Sequence, residues 1–479
     1  MSVARRSVVS IGWNAVARII QTAVIFLRMI LLARWLPVEL FGVYAGLKVI
    51  LQLTISLTSF GMTGAFIHRA EETEDEGRAV AVLFTLRLLF IVAWTVIMLL
   101  LLPWLTRAGE ELPFAVLVLA TAVLYQARIA EAILTRRVVH RRLALVQTVS
   151  ILFSSLVSVG LAWFYNSIWV LVAADLVITA VTVIGYYLWR PVWRIQFRWD
   201  KDVIRYYFDF GKRGFAAQTL YQALDRVDDL WVRLFLGDVA LGFYSRAYTL
   251  ATYPRQILAM PVSSVVAGTY AELKYDRLRL SQAFFRTNAL LIRTSFFLGG
   301  LLALLAPELI RFALTEKWLP MLTAFRLMLI FTLLDPLKQT TASVIGFSGK
   351  PEKLAQTRAI QLVILVIGLI LLAPRWDIAG VAVAVDVMLV VGIGLFLWQA
   401  REFVDFSYWA LFAAPTAALA VAILLARGAL LLPGILGADW RTGLVKTAVF
   451  APIYLLILYL AEKEEMNRMI TQARQLLGR

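Results

Sequence analysis

The sequence has 479 residues, 61% of them hydrophobic, with a mean hydropathy of +0.79 and a formal net charge of +16. Soluble domains run nearer ~45–50% apolar, and apolar runs long enough to cross a hydrocarbon core recur here along the whole length, so a polytopic helical membrane protein is expected. The absence of cysteine excludes disulfides and thiolate metal sites. Strict alternation over segments of about ten residues, the mark of a transmembrane β-barrel, is not seen. His68 and His140, the only histidines, sit in basic loops and do not suggest a metal site. The excess of positive charge falls in one alternating set of loops, which argues against nucleic acid as the partner.

In chain order, apolar spans are expected over residues 8–33, 43–67, 79–103, 112–134, 143–165 and 167–189, then 205–235, 243–267, 285–306, 320–345, 354–373 and 378–399, and finally 408–427 and 442–461. That makes an all-α protein of about fourteen transmembrane helices. The first span carries Arg18 and Arg28 and continues without a small-residue cleavage site, unlike a signal peptide. Pro37, Pro103, Pro191, Pro307, Pro374 and Pro433 fall at or near span ends, where proline is tolerated. Pro254, Pro261, Pro336, Pro415 and Pro452 fall inside spans and should kink them.

The loops set the orientation. Arg5 and Arg6, Arg69 and Arg78, Arg136 to Arg142, Arg190 to Lys201, Lys274 to Arg279, Lys350 and Lys353, Arg401, and Lys463 to Arg479 make one basic set; the alternate loops carry only isolated charges such as Arg34 and Lys317. By the positive-inside rule the basic set, with both termini, is expected in the cytoplasm of a protein of the cytoplasmic (inner) membrane. The acidic run from Glu71 to Glu76 is expected to be a solvated loop. The tail from Glu462 to Arg479 is amphipathic and mildly basic, and is expected to rest on the anionic leaflet.

An internal echo runs through the chain. Gly42-Val43-Tyr44 and Gly242-Phe243-Tyr244 lie 200 positions apart, and Leu102-Pro103 and Leu112-Pro113 answer Ala306-Pro307 and Leu319-Pro320. Six spans separate corresponding points, so the halves should insert in the same sense, as a parallel repeat. The expected organisation is an N-lobe over 1–200, a C-lobe over 201–400, and a C-terminal segment over 401–479 holding the last two helices and the tail.

Charges inside spans cost about 2.5–3.5 kcal/mol each on insertion scales and tend to face protein or water. On the seventh helix Gln218, Gln222, Asp225 and Asp229 recur at steps of four, three and four and share one face. Arg18, Arg28, Arg87, Arg255 and Arg293 are candidate anion contacts, because guanidinium forks suit phosphate or diphosphate. Asp225, Asp228 and Asp229 lie close enough together to carry a coupling proton or help hold Na⁺; equally, they could pair with Arg226 and Arg233 and only fix the helix. Tyr44, Tyr221, Tyr244 and Trp231 could stack on sugar rings or serve as membrane-interface aromatics. Gly346-Phe-Ser-Gly-Lys350 lacks the spacing of a phosphate-binding loop, and neither histidine lies in a span, so an enzyme is not expected, nor any cofactor beyond a coupling H⁺ or Na⁺.

Leu36-Pro-Val-Glu-Leu-Phe-Gly-Val-Tyr44 resembles the loop after the first helix in polysaccharide (oligosaccharide) flippases of the MOP superfamily, with Pro37 and Val38 standing where that family usually has glycine and proline. Leu236-Gly-Asp-Val-Ala-Leu-Gly-Phe-Tyr244 onward to Tyr248 is similar to its second-half counterpart, and Asp276-Arg277-Leu278, Ala283-Phe-Phe-Arg286 and Gly346-Phe-Ser-Gly-Lys-Pro351 follow in matching order. The resemblance implies a MOP-type transporter fold. It also implies flipping of undecaprenyl-diphosphate-linked oligosaccharide for O-antigen, capsule or exopolysaccharide by alternating access, beside a polysaccharide polymerase and glycosyltransferases. A multidrug or organic-cation exporter of the same superfamily, a lipid II flippase and a scaffold for a polysaccharide synthase are the other readings.

Overall fold

The computed structural model describes residues 3–68, 76–137, 139–254, 256, 260–347, 351–429 and 440–463. Among them there is no β-strand, and ten helices are long and apolar enough to cross a membrane, which makes this a multi-pass membrane protein. The expected spans 8–33 and 205–235, and 243–267 in its described residues, are helical but lie outside that set of ten. The chain packs as two compact units, Met1–Ser245 and Arg246–Arg479.

The first unit contains α1 (Val3–Trp35), α2 (Val38–Ile55), α3 (Met62–His68), α4 (Glu76–Leu100), α5 (Leu102–Leu105), α6 (Glu111–Ala127), α7 (Ile129–Arg136), α8 (His140–Phe164), α9 (Trp169–Val183) and α10 (Lys201–Trp231), and the start of α11 (Asp238–Pro254). The repeat places the seventh helix at the head of a second half, but by packing α10 groups with the helices before it.

The expected span 43–67 is a broken helix. Thr58 and Ser59 hydroxyls bond back to the carbonyls of Ile55 and Ser56, tightening residues 56–59 into a 3₁₀ turn, and Phe60 and Gly61 then take positive φ of 40° and 71° before α3 begins. The reason lies across the interface. A Cβ on Gly211 of α10 would stand 2.1 Å from the Phe60 carbonyl oxygen, so the kinked turn and a bare glycine are required where the two segments cross. Leu47, Leu51, Ile55, Ile91, Trp94, Phe114 and Leu117 form one core of this unit; Met62, Phe66, Val80, Leu83, Ile133 and Tyr207 form another.

Asp200 caps α10 by accepting from the backbone N–H of Asp202 and Val203, and Gly237, at φ 90°, ends the π-turn that follows it. The cap in Asp200-Lys-Asp starts the helix five residues ahead of the span expected from residue 205.

The second unit holds the rest of α11, then α12 (Met260–Leu273), α13 (Arg277–Leu309), α14 (Leu322–Phe347), α15 (Pro351–Ala400), α16 (Tyr408–Gly428) and α17 (Trp440–Ala461). Non-helical backbone at Trp376 and Asp377 divides α15, so the two spans expected at 354–373 and 378–399 are present as its halves. They pack on each other closely enough that a Cβ on Gly368 would lie 2.8 Å from that of Ala384, and Gln399 Nε2 donates to Thr357 Oγ1 at 3.0 Å. Two buried ion pairs fasten α17 to α13. Lys446 Nζ lies 2.5 Å from Glu308, and Arg293 meets Glu462 through two nitrogens at 2.5 and 2.6 Å. Tyr454 donates to the Arg293 carbonyl between them. Glu462, read from sequence as the start of a surface tail, is thus a partner for a buried arginine; residues beyond 463 lie outside the described residues, as does the acidic run 71–75.

Candidate functional site

Polar residues in the first unit form three connected groups. Along α1, Gln21 donates to Thr148 Oγ1 at 2.9 Å and Arg28 Nη1 to Ser154 Oγ at 3.4 Å, both on α8. Arg18 is exposed and Arg28 half-buried. Residues 18, 21 and 28 follow one another up a single stripe of a helix with turns of 3.6 residues. The hydroxyl-rich face of α8, with Ser150, Ser154, Ser155 and Ser158 all buried, is the surface this stripe meets.

The second group is the carboxylate cluster of α10. Arg226 sits 3.4 Å from Asp225 and 3.4 Å from Asp229, while Asp228 accepts from the Tyr244 hydroxyl at 2.6 Å. One of the two readings of the sequence paired Arg233, with Arg226, to these aspartates. Instead it reaches Glu110 at 2.5 Å, with both side chains buried, and donates to the Val43 carbonyl. Arg233 lies in the π-helical turn 232–236 that follows α10. Glu110 was missed by sequence reasoning, which left it in a short loop. No local signal pointed to it, since Asp229, four residues before Arg233, offered a nearer partner in the sequence.

The third group is the crossing of the two motif copies. A Cβ on Gly42 would fall 1.6 Å from the Asp238 carbonyl oxygen, and one on Gly242 would fall 2.4 Å from that of Val38. Positions 38 and 42 and positions 238 and 242 are repeat equivalents, so each copy's glycine receives the other copy's first carbonyl. Gly46 clears the path of Arg233, whose Nη1 would be 2.1 Å from a Cβ there. Arg107 closes the edge by pairing with Asp238 and donating to the Arg233 carbonyl at 3.1 Å. Both motif tyrosines donate to carboxylates, Tyr44 to Asp175 at 2.7 Å beside Lys48, and Tyr244 to Asp228. Trp231 stacks on Phe235, and Tyr221 is exposed.

The remaining candidates stand apart from these groups. Arg87 is buried between α3 and α6, donating to the Tyr125 carbonyl at 2.5 Å and to Thr63 at 3.4 Å, with its guanidinium 4.7 Å from the Tyr125 ring. Arg293 is engaged by Glu462 in the second unit. Gln218 is exposed and Gln222 half-buried on α10. Arg255 lies outside the described residues. Among the described residues, no group of three or more His, Asp or Glu side chains is placed to hold a metal ion.

Comparison with solved structures gives the class. The chain superposes on the lipid II flippase MurJ in its inward closed conformation with a TM-score of 0.80, over 95% of this chain and 99% of that one, at 12% identity. It superposes on an inward-facing multidrug resistance MATE transporter with a TM-score of 0.61, over 81% and 98%, at 14% identity. The fold is that of the MOP superfamily transporters, as the motif order implied. A model described as polysaccharide biosynthesis protein matches residues 31–323, and the chain belongs to that family. Curated relatives include the succinoglycan biosynthesis transport protein ExoT of Rhizobium meliloti, 26% identical over 63% of this chain and 61% of that protein. The lipopolysaccharide biosynthesis protein WzxC of Escherichia coli is 23% identical over 70% and 68%. The amylovoran biosynthesis protein AmsL of Erwinia amylovora is 24% identical over 43% and 54%, so the chain spans about half of that relative's length.

Proposed function

We propose that this protein flips undecaprenyl-diphosphate-linked oligosaccharide units from the cytoplasmic to the outer face of the cytoplasmic membrane, for assembly of O-antigen, capsule or exopolysaccharide. The observation that carries the reading is the family match over residues 31–323, joined to relatives named for succinoglycan transport and lipopolysaccharide biosynthesis. The reading takes lobes 1–200 and 201–400 as the moving parts of an alternating-access cycle, with the basic loops and both termini in the cytoplasm.

Within that reading, Arg28, half-buried on a polar stripe and bonded among the described residues to Ser154 at 3.4 Å, is suited to meet the lipid diphosphate, with Arg18 as an outer relay. Arg87 and Arg293 act at one remove, because two nitrogens of each guanidinium are already held by protein acceptors. Asp225, Asp228 and Asp229 supply a coupling site for H⁺ or Na⁺, and the polymerase and glycosyltransferases of the same pathway are the working partners. The Gly42–Gly242 crossing would then part and re-form once per cycle.

The test is deletion in a strain without paralogues. Undecaprenyl-linked repeat units should accumulate on the cytoplasmic leaflet and one surface polysaccharide should be lost. Polymer export at the wild-type level would end the proposal. Arg28→Glu should block export while the protein still inserts and purifies as a folded monodisperse species; full export by that variant would remove the anion-contact role.

A further inference from the structure

The linker between α9 and α10 reads Trp189-Arg-Pro-Val-Trp-Arg-Ile-Gln-Phe-Arg-Trp-Asp200, with arginines at 190, 194 and 198 set among five bulky apolar residues. It forms no helix from residue 189 to 200. Trp193 and Phe197, four residues apart, both reach the ring of Phe84 on α4, at 5.5 and 5.8 Å between centroids. Two residues spaced by four meet one target when side chains alternate with a period of two, as on extended backbone. The face carrying Trp193, Ile195, Phe197 and Trp199 is therefore apolar, and the face carrying Arg194, Gln196 and Arg198 is polar.

This ribbon is anchored at fixed points. Arg142 donates to the carbonyls of Gly185 and Trp189, the Arg198 backbone N–H donates to Thr85 Oγ1, and Arg78 pairs with Asp200. It is seated against α4 but not covered. Ile195, Phe197 and Trp199 remain 52%, 68% and 62% exposed. Its crossing point at Phe84 and Thr85 lies about 12–14 Å along α4 from Glu76 at 1.5 Å per residue. That places the ribbon against a helix long and apolar enough to cross a membrane, and Leu89 and Phe90 continue the exposed apolar surface one turn further along it. The only acid within the ribbon, Asp200, is taken by Arg78.

We propose that residues 189–199 form an interfacial strap that binds anionic phospholipid. Ile195, Phe197 and Trp199 sink into the acyl boundary, while Arg190, Arg194 and Arg198 hold phosphate groups of the adjoining leaflet. Charge complementarity selects lipid over a protein partner here. Arg194 and Arg198 share the polar face of the ribbon, Arg190 stands at the positive-φ turn that opens it, and aromatic side chains flank all three as they do at membrane interfaces generally.

The full-length protein is purified and its retained lipids are counted by native mass spectrometry after exposure to phosphatidylglycerol or phosphatidylcholine. The wild type should prefer phosphatidylglycerol, and R190Q/R194Q/R198Q should lose on the order of tenfold or more of that preference, given the usual pull of each basic residue near an anionic surface. An unchanged preference overturns the proposal. Since the chain has no cysteine, a fluorophore on Phe197→Cys, or on Ile195→Cys should the first variant misfold, reports depth in phosphatidylglycerol vesicles. Quenching by headgroup-level nitroxide lipid and not by aqueous iodide is expected. Quenching by iodide alone, or shielding from both by a bound protein, overturns the strap.

Discussion

Gly42 and Gly242 each stand where the other repeat copy's backbone passes: a side chain on the first would strike the Asp238 carbonyl, and on the second the Val38 carbonyl. The relation is reciprocal between residues 200 apart in sequence, as an axis relating two duplicated segments would require. Such contact tolerates no Cβ on either side. The same crossing carries the Arg233–Glu110 and Arg107–Asp238 pairs, so polar locks and close backbone approach fall together.

Gly42→Ala should therefore lower thermal stability by about 1–3 kcal/mol, the usual range for forcing atoms into a packed contact. Gly64→Ala is the comparison, since a Cβ there meets nothing within 4 Å and alanine favours the helix. Unfolding followed by tryptophan fluorescence in detergent reads both. Equal midpoints for the two variants would falsify the steric account of the motif.

Arg233→Leu leaves Glu110 buried without its cation, a loss of about 3–5 kcal/mol for pairs of this kind. Adding Glu110→Leu should restore most of the loss, because an apolar pair of similar volume carries no desolvation penalty. A double-mutant cycle on thermal stability tests it, and additive losses would show that the two side chains do not depend on each other.

The Arg277 guanidinium donates to both oxygens of Asp405 and holds that carboxyl below the usual carboxylate range. A depressed folded-state pKa means stabilisation fully present above the unfolded value of about 4 and lost as pH falls through the folded value. Comparing wild type with Asp405→Asn from pH 7 to pH 3, the wild type should unfold at the higher temperature near neutrality. The two curves should converge at the acid end, and a gap that widens on acidification would refute the pairing.

Thr315 adopts φ 90° and ψ 166°, a conformation matched by Gly237 at φ 90° and ψ 176°. For a β-branched residue this region costs on the order of 1–3 kcal/mol. Thr315→Gly should raise stability by about 1 kcal/mol after allowing for glycine's extra freedom in the unfolded chain. Gly237→Thr should lower it even though a Cβ there has open space, so backbone strain alone is measured. Calorimetry or fluorescence melts of both variants check the pair of signs.

Composition and periodicity were enough to read a multi-pass helical protein, and motif order was enough to read its family and the transporter fold. Each rests on local chemistry that survives without neighbours: apolar runs long enough to span a bilayer, glycine and tyrosine at fixed steps, basic residues in alternate loops. The break at Trp376–Asp377, placed within a few residues as the gap between two spans, belongs to the same kind of signal. The break at Phe60–Gly61 does not, because it answers Gly211, 150 positions away in sequence.

Only the tertiary structure decided who partners whom among the charges. From sequence, Arg28, Arg87 and Arg293 were three equal arginines inside apolar spans. Packing gave Arg87 a carbonyl and an aromatic ring, gave Arg293 the carboxylate of Glu462, and, among the described residues, gave Arg28 one long bond to a serine. A guanidinium's role depends on which acceptors lie within about 3 Å of it, and those acceptors come from helices far away in the chain, so no local pattern could have sorted them.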